Sequence, residues 1–203
     1  VPQPWDSSLS YNFSSSSCLA FFSAQLANET FRACRPFGLL LGTSAAFFAI
    51  ESNLTTLTAT IGGTCDTPDS ADTCKGVMDW MALRISQPDV CGVDIAERNA
   101  IALEALNGFN SYGMMRLAGC LVNPITNAYC FAEAVAQISP ADVYYYSLPL
   151  GTNIPSSTVP SCSACIQTVL GIYVQYATNK TMPISHTYAL ASTKANAQCG
   201  ANY

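Results

Sequence analysis

Residues 159–176, VPSCSACIQTVLGIYVQY, set Cys162 and Cys165 three apart at the head of an apolar run with helical spacing. A Cys-x-x-Cys pair serves redox catalysis, half of a zinc site, or structural disulfides, and the choice decides how the whole chain is held together. A redox pair expects a preceding strand in a βαβ unit, whereas a Pro/Ser stretch precedes Cys162. Zinc needs two further ligands, commonly a second cysteine pair or histidines, and His186 is the single histidine. Eight more cysteines, Cys18, Cys34, Cys65, Cys74, Cys91, Cys120, Cys130 and Cys199, complete an even set of ten. The pair is therefore read as two staples, each oxidised to a partner elsewhere, with the connectivity left open.

That reading requires an oxidising compartment, and the surface chemistry agrees with it. Half of the 203 residues are hydrophobic and only 10% are charged, against about 25% in average soluble domains. The surface must be covered by Ser, Thr, Asn and Tyr, and by sugar. Asn12, Asn28, Asn53 and Asn179 each open an N-x-Ser/Thr acceptor sequence. Four acceptors with ten cysteines point to an extracellular or cell-surface protein with up to five disulfides.

The net charge is −5 and the eight basic residues are scattered, so nucleic acid is not an expected partner. The longest apolar run, PFGLLLGTSAAFFAI at 36–50, is shorter than the about 20 residues that span a bilayer. It predicts a buried helix, with no transmembrane segment in this chain.

Apart from a Pro/Ser-rich lead-in at 1–17, read as flexible, residues 18–203 are expected to form a single domain. Residues 18–34 keep helical spacing through Leu19, Phe22 and Leu26, and the 36–50 run is apolar on every side, as for a helix at the centre of a core. NLTTLTATIGG at 53–63 loses the pattern. Val77, Met78, Met81 and Ile85 form a stripe, and Asp94 is expected to cap a long helix from Ile95 to about Leu121, with Gly108 and Gly113 marking a kink or a close crossing. Pro124 restarts a helix through Cys130 and Ile138. Residues 139–161 carry four prolines and read as an ordered loop holding Tyr144 to Tyr146 against the body. Helices over 162–177 and 184–197 finish an all-α, disulfide-braced bundle of about six to seven helices with a long Pro/Tyr-rich loop.

Catalytic constellations are thin. His186 is the only conventional base for a serine triad, and no serine sits in a nucleophile-elbow pattern. Glu97 and Glu104, seven apart on one helical face, could meet Glu133 or Asp79 as a glycosidase pair, which needs two carboxylates about 5–9 Å apart. Sugar platforms are limited to Trp5 and Trp80. Asp66, Asp69 and Asp72 could gather around calcium but lack the EF-hand glycine and glutamate, so they read as turn and cap residues. No cofactor or metal is expected. The unusual quantity is apolar bulk: Phe21, Phe22, Leu39 to Leu41, Phe47, Phe48, Met78, Met81, Met114, Met115, Ile172 and Tyr173. In a braced helical body such residues either pack a dense core or line a cavity for a lipid or sterol.

CGVDIAERNAIALEALNGFNSYGMMRLAGC at 91–120, SCLAFFSAQL near the start and VPSCSACIQTVLGIY late resemble an uncharacterised cysteine-rich domain of secreted, often lipid-anchored fungal proteins. The resemblance covers nearly the whole chain. It implies a fungal surface or secreted glycoprotein and assigns no catalytic residue; members often carry a tail with a lipid-anchor signal, and this chain stops at CGANY, so either a tail was omitted or a mature product ends there. The leading expectation is a non-enzymatic glycoprotein that holds a hydrophobic ligand. A structural or self-assembling surface glycoprotein and an unrecognised hydrolase are the alternatives.

Overall fold

The computed structural model describes residues 1–7, 12–201 and 203. These form twelve α-helices and one 3₁₀ helix: α1 (Ser16–Ala27), α2 (Glu29–Ala33), α3 (Phe37–Thr43), α4 (Ala45–Ile50), α5 (Leu54–Cys65), α6 (Ala71–Ile85), α7 (Gly92–Ala96), α8 (Ala100–Asn110), α9 (Tyr112–Gly119), α10 (Cys130–Ala136), the 3₁₀ helix (Ala141–Leu150), α11 (Ala164–Tyr173) and α12 (Ile184–Cys199). Among the described residues there is no strand, only an isolated bridge between Val122 and Tyr129. The all-α, disulfide-braced class stands, with helices shorter and more numerous than the six to seven expected.

Side-chain caps account for the extra breaks. Ser44 is extended; its hydroxyl accepts from Phe47 N and donates to Asp6, so the 36–50 run splits into α3 and α4. The long helix expected from Ile95 to Leu121 becomes three. Arg98 takes a left-handed φ of 61°, Asn99 caps α8, and Ser111 separates α8 from α9. Asp94 lies inside α7, buried, where it accepts from Ser14 N and Ser15 Oγ. α10 starts at Cys130 rather than Pro124, because residues 123–127 fold into a turn with Asn127 at a left-handed φ. Residues 54–63 are helical after all: Leu57, Thr60, Ile61 and Thr64 share the inward face of α5, and Thr60 and Thr64 on that face hide the stripe from a hydrophobic pattern.

Residues 8–11 of the lead-in lie outside the described residues; the described residues before them contact the body. Trp5 is buried edge-on to Phe22 with ring centroids 5.1 Å apart, and its backbone N–H donates to Thr43 O. Asp6 accepts from Ala45 N at 2.9 Å.

Two apolar clusters result. One gathers Trp5, Phe22, Phe31, Leu39, Met78, Met81 and Phe109; the other gathers Phe37, Leu40, Phe47, Met114, Met115, Phe131, Tyr146 and Tyr173. α3 serves both, sending Leu39 to the first and Phe37 and Leu40 to the second. Its neighbours come close: a Cβ on Gly108 of α8 would lie 2.0 Å from Leu39 Cδ2, and one on Gly119 of α9 would lie 2.6 Å from Phe37 Cδ1. Gly108 is thus the close crossing, not a kink.

All ten cysteines pair, as Cys18–Cys91, Cys34–Cys74, Cys65–Cys120, Cys130–Cys165 and Cys162–Cys199. Cys162 and Cys165 bond away from each other, to α12 and α10. Cys162 sits just before α11 at a left-handed φ of 59°.

The Pro/Tyr-rich segment is neither wholly loop nor wholly superficial. Its 3₁₀ helix buries Tyr145, Tyr146, Leu148 and Pro149, leaving Tyr144 exposed. Burial is tolerated because three successive carbonyls at its end find side-chain donors: Leu148 O from Thr187 Oγ1 at 2.8 Å, Pro149 O from Ser111 Oγ at 2.6 Å, and Leu150 O from Asn107 Nδ2 at 3.1 Å. Buried Asp142 ties the segment's two ends, accepting from Gln137 Nε2 and from Ser161 N.

Two predictions follow from this packing. Gly108→Ala should lower unfolding free energy by about 1–3 kcal/mol through overpacking, and by clearly less in a Leu39→Ala background, as read in a urea double-mutant cycle. The second concerns the phenols. Burial, then the Asp142 carboxylate, pushes Tyr145 up to about 12 and Tyr146 higher, and burial with Tyr146 beside it pushes Tyr173 well up. Unfolded tyrosines ionise near 10, so above that pH the unfolded state holds fewer protons and stability falls as pH rises. Tyrosinate absorbance from these three rings should rise together with loss of helical dichroism; their titration in a folded protein would contradict the packing.

Candidate functional site

The residues considered for hydrolysis occupy separate places. His186 is exposed on α12. Glu97 caps the end of α7 and accepts from Ser14 Oγ, while Glu104 lies on α8, so the two do not share a helix face. Glu133 is occupied by Asn123 Nδ2 at 2.8 Å and by Thr126 Oγ1. Asp79 pairs with Lys75 at 2.5 Å. Glu104 borders a small cleft of about 150 Å³ between α3 and the end of the 3₁₀ helix, where burial raises its carboxyl, and no second carboxylate lines that cleft. A glycosidase needs two, so this placement assembles no pair.

Among the described residues, one cluster has metal-ligating atoms within reach of one another: Cys34, Asp69 and Cys74. Its two sulfurs are spent in the Cys34–Cys74 disulfide and are not thiolate ligands. Asp66 and Asp72 stand outside it, at the end of α5 and in the first turn of α6.

The apolar residues considered for an internal cavity are mostly core. Phe22, Leu39, Leu40, Phe47, Met78, Met81, Met114, Met115 and Tyr173 are buried in the two clusters, Phe21, Leu41 and Ile172 pack against them, and Phe48 is exposed. The space suited to an apolar guest lies at the surface instead. Between the start of α6, the outer face of α9 and residues 120–122 runs a cleft of about 510 Å³, within the about 300–1,000 Å³ of small-molecule sites.

Its apolar wall is Leu117, Leu121, Val122 and Tyr176, with the Cys65–Cys120 disulfide behind. Leu117 and Val122 are 54% and 40% exposed. In one continuous helix from Ile95 to Leu121, Leu117 and Leu121 fall on the same face as Met114, which hides this wall from the sequence pattern. The break at Ser111, where α9 separates from α8, turns Leu117 to the cleft, and the end of α9 at Cys120 brings Val122 beside it.

The polar end is built around Arg116. Its guanidinium donates to Thr64 O at 2.8 Å and Cys65 O at 2.6 Å, the unpaired carbonyls ending α5. This holds a cation in place where the helix terminus favours one. Beside it Tyr112 is 4% exposed, and its hydroxyl is directed at the Arg116 guanidinium. Burial raises the Tyr112 phenol, partly offset by the Arg116 charge. Lys75 and Asp72 stand at the mouth. An apolar trough ending in a buried hydroxyl and a fixed guanidinium suits an amphiphile with a hydrogen-bonding head.

The four acceptor asparagines, Asn12, Asn28, Asn53 and Asn179, are all exposed. Among the described residues no helix is long and apolar enough to cross a membrane. Comparison with known families matches residues 1–203 to the model described as Domain of unknown function (DUF7729). No curated protein and no solved structure matches the chain.

Proposed function

From the premise that the chain belongs to the DUF7729 family over residues 1–203, we propose that it is a secreted or cell-wall-associated fungal glycoprotein, without catalytic role, that holds a lipid- or sterol-like amphiphile in the α6–α9 cleft. The observation that carries this reading is the cleft's division into an apolar wall with exposed Leu117 and Val122 and a polar end with Tyr112 and Arg116. Exposed leucine and valine are unfavourable in water, and one amphiphilic guest covers both while its head meets the polar end of the cleft. Five disulfides and four exposed acceptor asparagines support the extracellular setting. The fungal surface assignment rests on the sequence resemblance.

A second reading, a self-assembling surface glycoprotein, is favoured by isolated apolar side chains turned to solvent, Phe48 at 74% and Ile125 at 88% exposed. Sedimentation over a wide concentration range separates the two; a constant monomer mass removes assembly.

Organic extraction of the natively secreted protein, followed by mass spectrometry, should recover one amphiphile per chain. Leu117→Arg, at a position that tolerates charge because it is half exposed, should lower retention or uptake by about tenfold, equivalent to about 1.4 kcal/mol. An empty extract with lipid controls recovered, together with no uptake of added fatty acids or sterols, would overturn the binding reading.

A further inference from the structure

On the far side of α6 the Cys34–Cys74 disulfide holds α2 against this helix. Beside it lies a second cleft of about 420 Å³, lined by Asn28, Thr30, Gly76, Val77 and Trp80 among others. Trp80 is 50% exposed, unlike Trp5 at 8%. Gly76, one turn before it, has nothing within 4 Å of where a Cβ would stand. A glycine inside a helix costs about 1 kcal/mol relative to alanine, and no close neighbour requires one here. Its effect is to leave open space against the indole.

The exposed sequence Asn28-Glu29-Thr30 enters this cleft through Asn28 and Thr30. Asn28 is the N-cap of α2, and its Oδ1 accepts from Phe31 N at 3.0 Å. The cap uses only the carboxamide oxygen. The nitrogen Nδ2, the atom that carries an N-linked sugar, is left to the outside of the cap.

We propose that Asn28 is glycosylated and that the first sugars of its glycan lie in this cleft, with their C–H faces against the Trp80 ring in the space left by Gly76. The linkage forms when Nδ2 displaces the lipid pyrophosphate of the donor oligosaccharide from the anomeric carbon and loses one proton. Two properties then meet: an aromatic ring binds an amphipathic partner through its face, and the polar edges of a pyranose keep their water. The sugar joins the α1–α2 junction to α6 across the cleft and removes an exposed indole from solvent. The inference rests on the secretory-glycoprotein part of the function proposed above and is independent of the amphiphile cleft.

The test uses the protein secreted by a eukaryotic host. Because the chain has two tryptophans and Trp5 is buried, collisional quenching of indole fluorescence by acrylamide reports mainly on Trp80. Glycopeptide mass spectrometry should find Asn28 occupied. Asn28→Asp keeps the cap, since aspartate and asparagine cap helices about equally, and removes the acceptor nitrogen. In that variant the quenching slope should rise about twofold, as sugar covering about half of the indole surface that the protein leaves exposed is lost. Trimming the native glycan to its first sugar should leave the slope low, and Asn179→Asp should leave it unchanged. Occupied Asn28 with quenching equal to that of Asn28→Asp would overturn the proposal. Bare Asn28 beside occupied Asn53 or Asn179 would overturn it while leaving the secretory reading intact, whereas no sugar at any acceptor would sink both.

Discussion

The rest of the molecule depends on the close approach of α3 to α8 and α9. α3 is seven residues long and apolar all round, and no single cluster could cover it. Leu39 goes to one core, Phe37 and Leu40 to the other, and the missing side chains at Gly108 and Gly119 let the neighbouring helices come near enough to bury all three. Were either contact opened, the two clusters would lose their shared element, and the disulfides could not replace it. No bridge links residues up to 120 with residues from 130 on: three pair within the first group and two within the second. Packing joins what the disulfides leave separate.

Short helices make capping unusually consequential here. Asp6 and Ser44, Asn99, and Ser163 supply donors' partners at helix starts, while Arg116 covers the carbonyls that end α5. Thr187, Ser111 and Asn107 do the same for the 3₁₀ helix. With only 10% of residues charged, neutral hydroxyls and amides carry this work. That chemistry suits a surface rich in Ser, Thr and Asn, and it leaves asparagine nitrogens facing outward at the caps of α2 and α5.

The two clefts flank α6 and are bounded by disulfides of different roles. Cys34–Cys74 is fully buried and fixes the floor beside Trp80, whereas Cys65–Cys120 is half-buried and stands behind the amphiphile trough. Each cleft combines apolar surface with fixed polar groups: the Asn28 carboxamide in one, the Tyr112 hydroxyl and Arg116 guanidinium in the other. Arg116 is committed to backbone carbonyls and Lys75 to Asp79.

Composition and local pattern by themselves determined the all-α class, the pairing of every cysteine as a structural bridge, the central place of Phe37 to Leu40, though not of α4, where Ala45, Ala46, Phe48 and Ala49 are exposed, and the packing of the 144–146 tyrosines against the body, though not the exposure of Tyr144. These follow from helical periodicity, an even thiol count and the cost of exposing an all-apolar segment, all of which are local or additive. Which cysteines pair, that Glu97 and Glu104 diverge, that α5 is a helix with threonines inside, and that Leu117 and Val122 line a cleft were decided only by tertiary structure. Each depends on where a chain bends at a cap or a left-handed residue such as Arg98, and on which distant segment then fills the space. A bend of one residue redirects every side chain after it, and the free energy that selects the bend comes from partners far away in sequence.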